Sequence, residues 1–402
     1  MSSSKYKTKG FSIMMYSHDG FGLGHIRRNY LIARYGVREI PYSRFLMVTG
    51  SVVPPFFYLP QGIDYIKLPS IIKVSNGNWS PRTLSIGLDD FKNLRACTIH
   101  DAAEILKPDV FIADYSPTGI WNELAPTFEM LKNRSDPPQI ILGLRDILDT
   151  PARTRKFWQQ ERAYEFLKKY YDKILVYGCR EVFDTAYHYD LLNSFEDKVA
   201  YCGYLCSQEL NNGKDKIRQK LGLKRQNLIL ITAGGGYDAY PMMQLSIKAL
   251  RKVLREVSAE AIFITGPLMN PESYEVLVSY TEDLPIHVLR SDDTLNYIKS
   301  ADLIITMAGY NTLMDSVSAK KNIIVIPRSG PSAEQVMRAE IFRKMGLVTS
   351  LKPVEQVGST ELAEVIIERL NKPLVPNISI SMNGLSRAVY EIKKLLVEQI
   401  KV

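Results

Sequence analysis

Short runs of β-branched and aliphatic residues alternate with amphipathic stretches along the whole chain, and this alternation constrains the fold more than any single motif. Strands are expected at Phe11–Tyr16, Arg44–Val48, Asp109–Ala113, Gln139–Leu144, Lys173–Val176 and Val199–Cys202. A second series is expected at Asn227–Thr232, Ala261–Thr265, Ile286–Leu289, Leu303–Thr306 and Asn322–Ile326. Helical periodicity fills most of the intervals, as in Asp90–Leu106, Thr154–Tyr171, Tyr240–Val257, Ala333–Met345 and Thr360–Leu370. Strands that alternate with helices require right-handed βαβ crossovers and parallel sheets. Runs such as Leu303-Ile304-Ile305, apolar on both faces, fit sheets covered on both sides. The expected class is α/β.

At 402 residues the chain is too long for one ordinary core and long enough for two. The best boundary lies at 203–226, where a strand ends at Gly203 and the polar stretch Ser207–Gln226 precedes a fresh strand. Residues 1–205 are expected to form one Rossmann-like domain and residues 206–379 another. After Pro373 and Pro376 a helix resumes over roughly Leu385–Ile400, so residues 380–402 would return to pack on the first domain. Met1–Lys9 are polar and basic without an apolar run before a cleavage site, and read as a tail and not as a signal peptide. No apolar run approaches the ~20 residues that cross a bilayer. A cytoplasmic protein, monomer or homodimer, is expected.

Composition narrows the chemistry. Hydrophobic residues make up 46% and charged residues 23%, which places the chain among folded globular proteins. The four cysteines (Cys97, Cys179, Cys202, Cys206) contain no Cys-x-x-Cys spacing, and with five histidines no zinc set can be assembled. They read as reduced structural thiols. The net charge of +8 suits an anionic ligand, an anionic membrane surface or a nucleic acid. Lys and Arg are interspersed with acidic residues, without a basic run or an RNP-like motif, which turns the reading away from nucleic acid.

Two glycine loops follow predicted strands. The first, His18-Asp19-Gly20-Phe21-Gly22-Leu23-Gly24-His25, precedes a helix beginning near Ile26. Gly22 and Gly24 would let the backbone approach a ligand, and the helix N-terminus would favour negative charge. The dinucleotide fingerprint fails, since His25 stands where its third glycine should be and no acidic residue ends the second strand. The loop instead offers His25 at the C-terminal edge of a parallel sheet, either as a reactive group or as a helix cap. The second loop, Ala233-Gly234-Gly235-Gly236-Tyr237-Asp238, could cradle a diphosphate through its N–H groups. It lacks the lysine-serine ending of a Walker A loop.

A third feature is an ordered series. The strand Ala301–Thr306 is followed by Ala308-Gly309-Tyr310-Asn311-Thr312, opening a helix that carries Asp315. Next come the strand Asn322–Ile326, the turn Pro327-Arg328, and Ser332-Ala333-Glu334-Gln335 opening another helix. Two helix N-termini thus converge on one sheet edge, where a phosphate could sit while Asp315 and Gln335 bond ribose hydroxyls. Ordinary capping by Thr306, Asn311 and Ser332 is the plainer reading.

The run Ala301–Ala339 resembles the donor-binding region of MurG-like glycosyltransferases, whose namesake adds N-acetylglucosamine to a lipid-linked peptidoglycan precursor. The whole chain is similar to a bacterial subgroup of such transferases, through Leu68-Pro69-Ser70 with Lys73, Asp114 after a strand, Leu142–Asp149 and Arg338-Ala339-Glu340. The resemblance implies the GT-B fold: two Rossmann-like domains with parallel sheets facing a central cleft, acceptor on the first and nucleotide-sugar donor on the second. It implies that Gly235 and Gly236 approach the diphosphate and that Arg290 and Ser291 flank the base. Gly309, Tyr310, Asn311 and Thr312 would face the α-phosphate. Asp315 stands where the family has a ribose-binding Glu, and Glu334 and Gln335 would bind the sugar hydroxyls. The chain departs from the family in its first loop, in Glu334-Gln335 for a Gln-Gln pair, and throughout residues 50–90, so a peptidoglycan acceptor is not implied.

The expected activity is inverting, metal-independent transfer of a hexosyl or N-acetylhexosaminyl group from a nucleoside-diphosphate sugar, UDP-sugar foremost, to a hydroxyl or amine. No cofactor is expected, and the absence of an Asp-x-Asp motif leaves a metal-bridged diphosphate without a ligand pair. His25 suits the base, with His18 as the spare; Asp114 would either orient that imidazole or cap the helix near Pro117. Arg145 and Asp146 read equally as a loop-fixing ion pair or an acceptor clamp. Lys73 lies in a Gly/Ser/Asn-rich loop that could cover an anionic acceptor, or is solvated surface. Val52–Pro60 is core packing, an acceptor pocket or a patch touching the inner membrane face. Two other readings stay open: a GT-B sugar-nucleotide 2-epimerase or hydrolase, and a non-catalytic sugar-nucleotide-binding subunit.

Overall fold

A computed structural model describes residues 10–400 except 21, 54–57, 76–77, 208–213, 291–293, 375 and 377. The expected tail Met1–Lys9, the centre of Val52–Pro60, Ser291 and the Lys73 side chain therefore lie outside the described residues. The chain divides into two compact units. Unit 1 holds residues 1–21, 25–204 and 383–402, and unit 2 holds 205–382 with Gly22–Gly24.

Unit 1 opens with strand β1 (Ser12–Ser17), helix α1 (Gly24–Glu39), β2 (Arg44–Thr49) and β3 (Ile63–Lys67). A hairpin of β4 (Ile71–Ser75) and β5 (Asn78–Pro81) leads into α2 (Leu88–Leu106) and β6 (Val110–Asp114). Then come α3 (Ala125–Lys132), β7 (Gln139–Arg145), α4 (Pro151–Gln160), α5 (Ala163–Tyr170) and β8 (Lys173–Tyr177). Two short helices, α6 (Thr185–His188) and α7 (Leu192–Phe195), precede β9 (Val199–Tyr201). The seven-stranded sheet runs β3-β2-β1-β6-β7-β8-β9 and its ladders are all parallel. β1 and β6 are fully buried, as strands covered on both faces must be.

Unit 2 contains α8 (Lys214–Leu221), β10 (Asn227–Thr232), α9 (Tyr240–Glu256), β11 (Ala259–Ile264) and α10 (Pro271–Ser279). It continues with β12 (Ile286–Leu289), α11 (Thr294–Ser300), β13 (Leu303–Thr306) and α12 (Tyr310–Ser318). β14 (Asn322–Val325), α13 (Glu334–Lys344), β15 (Thr349–Ser350) and α14 (Ser359–Asn371) complete it. Its six strands, also parallel, run β12-β11-β10-β13-β14-β15. One face is filled by Ile229, Ile231, Leu250, Phe263, Leu303 and Ile305, the other by Leu228, Leu230, Ile262, Ile298 and Ile304. Each fully buried aliphatic side chain contributes about 1.5–3 kcal/mol, so each unit has its own core.

Helix α15 (Gly384–Ile400) belongs to unit 1. Its first N–H donates to Tyr204 O at 3.1 Å, and Glu391 on it pairs with Lys173 of β8 at 3.9 Å. A Cβ on Gly384 would lie 2.6 Å from Gly203 O and Tyr204 O, so only glycine allows this approach.

Three expectations are corrected. Thr154–Tyr171 is two helices, because Arg162 adopts a left-handed conformation (φ 52°) between α4 and α5. β3 was missed because only Ile63 of its five residues is buried, so no apolar run marks it. The Gly/Ser/Asn-rich loop contains the β4–β5 hairpin. All four cysteines are free thiols; three are buried, and burial followed by Glu391 pushes the Cys202 thiol up to about 12. Among the described residues no helix is long and apolar enough to cross a membrane.

Candidate functional site

In both sheets the chain reverses its strand order beside the first strand. β1 sits between β2 and β6, and β10 between β11 and β13. At such a switch point the loops leaving neighbouring strands diverge and open a crevice at the strands' carboxyl ends. Both glycine loops, and the ends of β6 and β13, lie at these points.

In unit 1 the loop after β1 is clamped by Asp19. Its Oδ1 accepts the Ile26 N–H at 3.1 Å, satisfying a donor in the first turn of α1. Its Oδ2 accepts the hydroxyls of Ser17 (2.5 Å) and Thr49 (2.6 Å), so one carboxylate joins β1, β2 and α1. Gly22 has φ 73°, and Gly24 is the first residue of α1. Gly20 makes room for protein: a Cβ there would lie 2.0 Å from the Trp79 ring on β5.

This clamp places His25 in the first turn of α1, beside the end of β6. His25 Nδ1 lies 2.7 Å from Asp114 Oδ2. Arg28, one turn along α1, approaches the same oxygen with Nη2 at 2.8 Å and Oδ1 with Nε at 3.4 Å. Arg28 and Asp114 are each 1% exposed, and His25 is 9% exposed. Burial raises the Asp114 pKa, but Arg28 and then His25 outweigh it and hold the carboxyl at about 2. Asp114 is therefore a carboxylate at neutral pH and spends its side chain on His25 and Arg28, not on a helix cap near Pro117. With Nδ1 bonded to Asp114, Nε2 is the ring nitrogen left to accept a proton.

His18 lies beside this pair but in another environment. Its ring is 4.7 Å from that of His25, 5.6 Å from Trp79 and 5.5 Å from Tyr115. Its Nδ1 has no hydrogen-bond partner. Burial foremost, then the charge of His25, lowers its pKa well below the imidazole range. The Arg145 guanidinium stands 5.2 Å over the Tyr115 ring. Asp146 is wholly buried, with Oδ1 accepting the Ile147 N–H at 2.7 Å and its carbonyl accepting the Thr185 hydroxyl at 2.7 Å. The Asp146 carboxylate thus helps to fix its own turn.

In unit 2 the glycine loop is built by close backbone approach. Gly234 and Gly236 have φ of 67° and 90°, and Leu268 N–H donates to Gly235 O at 2.9 Å. A Cβ on Gly236 would fall 1.9 Å from Thr265 O, and one on Gly234 3.2 Å from Thr312 Oγ1. The loop thus abuts the first turn of α12. Gly309 caps that helix in extended conformation, and nothing lies within 4 Å of where its Cβ would be. The Thr232, Thr306 and Asn311 side-chain oxygens nearby are buried without a partner. Thr232 and Thr306 are register neighbours at the ends of β10 and β13. Buried unsatisfied polar atoms concentrated at a sheet edge mark a place where a polar ligand or water belongs.

Several residues expected at the donor site also make contacts within the protein. The Tyr310 ring is buried and its hydroxyl accepts the Leu205 N–H at 2.9 Å, so only its backbone serves the helix N-terminus. Asp315 is 2% exposed, with Oδ1 accepting the Ser207 N–H at 3.0 Å, so one of its two oxygens is already occupied. Glu334 is buried and pairs with Arg338 at 2.8 Å, while Arg338 also donates to Ala308 O at 2.7 Å. The Glu334–Arg338 pair thus ties the first turns of α13 to the loop after β13. Gln335 Oε1 accepts the Arg328 N–H at 3.2 Å, and Thr312 is 5% exposed. Arg290 stacks 4.4 Å over Tyr274.

Arg28 and Trp79 went unread in the sequence, and Asp19, Arg328 and Arg338 were quoted there only as members of motifs, without a role. Arg28 and Arg338 stand three and four residues after His25 and Glu334, the spacing that shares a helix face, and were open to that reading. Arg328 pairs with Asp238 at 2.6 Å across 90 residues, a contact made by the sheet alone.

Residues 228–396 match the glycosyltransferase family 28 C-terminal domain. An NDP-glycosyltransferase, YjiC of Bacillus subtilis, is 27% identical over 175 residues, 43% of this chain and 40% of that protein. The UDP-N-acetylglucosamine–N-acetylmuramyl-(pentapeptide) pyrophosphoryl-undecaprenol N-acetylglucosamine transferase of Clostridium botulinum strain Hall is 27% identical over 201 residues, 48% of this chain and 52% of that protein. The chain thus spans about half the length of the curated relatives it matches. MurG of Acinetobacter baumannii superposes at TM-score 0.56 and 13% identity, covering 97% of this chain and 99% of that one. A proposed UDP-N-acetylglucosamine 2-epimerase of Listeria monocytogenes superposes at TM-score 0.63 and 14% identity, covering 97% of each. Residues 228–396 thus carry a glycosyltransferase family 28 C-terminal domain, and the fold of the chain is that of MurG, the GT-B fold.

Proposed function

We propose that the chain is an inverting, metal-independent glycosyltransferase that moves a sugar from a nucleoside-diphosphate sugar, a UDP-sugar foremost, to a hydroxyl or amine. The observation that carries this reading is the buried His25–Asp114 pair at the β1/β6 switch point, a base with its orienting carboxylate. His25 Nε2 takes the acceptor proton as the acceptor oxygen or nitrogen attacks the anomeric carbon. The bond from that carbon to the diphosphate oxygen breaks on the opposite face, the nucleoside diphosphate leaves with the electron pair, and the configuration inverts.

The leaving charge falls to the N–H groups of Gly235 and Gly236 and to the first turn of α12, where the helix dipole favours an anion. The absence of an Asp-x-Asp motif supports a diphosphate held by amides and not by a metal. His25 is preferred to His18 because it has a carboxylate partner. The names of the relatives support a nucleotide-sugar donor; that of the clostridial enzyme names a lipid-linked acceptor, and an acceptor of that kind would bring the chain to the inner membrane face.

His25→Ala is expected to lower transfer about 10²–10⁴-fold, the span of general-base catalysis, with donor affinity and circular dichroism unchanged. Transfer at the wild-type rate in that variant would remove the proposal's foundation. The 2-epimerase likeness favours a second reading, separable by one assay: wild-type protein given UDP-N-acetylglucosamine and no acceptor should return it unepimerised.

A further inference from the structure

Two groups compete for one nitrogen. Asp114 Oδ2 and Arg28 Nη2 lie 2.7 Å and 2.8 Å from His25 Nδ1. A carboxylate only accepts and a guanidinium only donates, so Nδ1 satisfies one of them at a time. When Nδ1 carries the proton it bonds Asp114, and Arg28 directs its protons to the same carboxylate, as the contacts at 2.8 Å and 3.4 Å allow. When Nδ1 is bare it accepts from Arg28, and the proton sits on Nε2, where it blocks base action. The arrangement is a His–Asp–Arg cluster, not a simple dyad.

We propose that Arg28 is a positioning residue that neutralises Asp114 and stands as a cation beside the ring, so that the carboxylate orients His25 without holding it as the imidazolium. A lone buried carboxylate would stabilise the imidazolium strongly and leave the base protonated at working pH. Arg28 is 1% exposed, so little solvent screens its charge. It preserves the orienting bond from Asp114 while cancelling that carboxylate's pull on the proton. Among the described residues, the other groups facing the imidazole are His18 at 4.7 Å and Tyr115 at 5.3 Å, with Arg145 stacked beyond Tyr115. None of them is altered by a change at Arg28.

This inference rests on His25 as the base, and its test needs no transfer activity. The His25 imidazole is titrated by NMR in the full chain, wild type and Arg28→Gln, with the signal assigned by its loss in His25→Ala. Arg28→Gln is expected to raise the His25 midpoint by about one pH unit or more, a tenfold or larger gain in proton affinity. Arg28→Lys, which keeps the charge, should restore most of the wild-type midpoint. The acid limb of the transfer rate should move upward with the midpoint, with KM for the donor unchanged. An unmoved or lowered midpoint in folded Arg28→Gln overturns the proposal, even if His25→Ala proves dead. Should Arg28→Gln fail to fold, Asp114→Asn is compared with Arg28→Gln/Asp114→Asn. The midpoint must rise on loss of Arg28 there too, and equality overturns the proposal.

Discussion

His18 and His25 are the same side chain 4.7 Å apart, yet their surroundings give them different work. His25 has Asp114 at Nδ1, whereas His18 is packed among aromatic rings with Nδ1 unpartnered. The consequence for His18 is a pH-dependent cost. Its folded pKa lies well below an unfolded value of about 6.5, so between the two the unfolded chain binds more protons. Stability is therefore whole above about pH 6.5 and falls as the pH drops toward the folded value. His18→Gln should flatten that fall, read as a smaller difference between urea midpoints at pH 7.5 and 5.5 than in the wild type. An unchanged difference would show that His18 is not the titrating group. The residue scale also shows what sequence could disclose. His25 was legible because a histidine ended a glycine loop after a strand. Its bond to Asp114 spans 89 residues and exists only because β1 and β6 are neighbours in the sheet.

At the scale of elements, the strand-to-helix loops of unit 2 carry the donor reading, and their glycines have distinct reasons. Gly236 combines φ 90° with a Cβ position 1.9 Å from Thr265 O, so any side chain must push apart the loops that follow β10 and β11. Gly236→Ala is expected to cost about 1–3 kcal/mol through strain and overpacking. It should also lower affinity for UDP, since Gly235 would move with the loop. Gly309→Ala, at a position with open space and φ −65°, is the control for stability and should melt within a degree or two of wild type. A wild-type melting temperature for Gly236→Ala, in a calorimetric scan, would contradict the packing described. Strands buried on both faces were readable from composition, because only apolar residues fit there. β3 and the β4–β5 hairpin were not, since an edge strand that is half exposed and a hairpin rich in Gly, Ser and Asn give the pattern of a loop. The break between α4 and α5 was equally silent, as Arg162 takes its left-handed conformation without a Gly or Pro to announce it.

At the scale of the molecule, two units each bury a complete core around a parallel sheet, and each sheet opens one switch point. A division of chemistry follows from what the sequence puts at each. The β1/β6 point carries titratable groups (His18, His25, Arg28 and Asp114), whereas the β10/β13 point carries glycines, amides and unsatisfied hydroxyls. On the proposed function, proton transfer belongs to the first set and anion binding to the second. UDP should therefore slow backbone hydrogen exchange over 233–239 and 307–318 far more than over 18–20 and 25–28. By mass action, UDP at 100 times its dissociation constant adds about 2.7 kcal/mol to the stability of the unit that binds it. With separate cores, that gain should lift the melting of unit 2 and leave the Cys202 and α15 region of unit 1 exchanging as before. Hydrogen exchange followed by mass spectrometry distinguishes the outcomes. Protection concentrated at 18–20 and 25–28 would transfer the nucleotide to the first unit and overturn the assignment of the donor to the second.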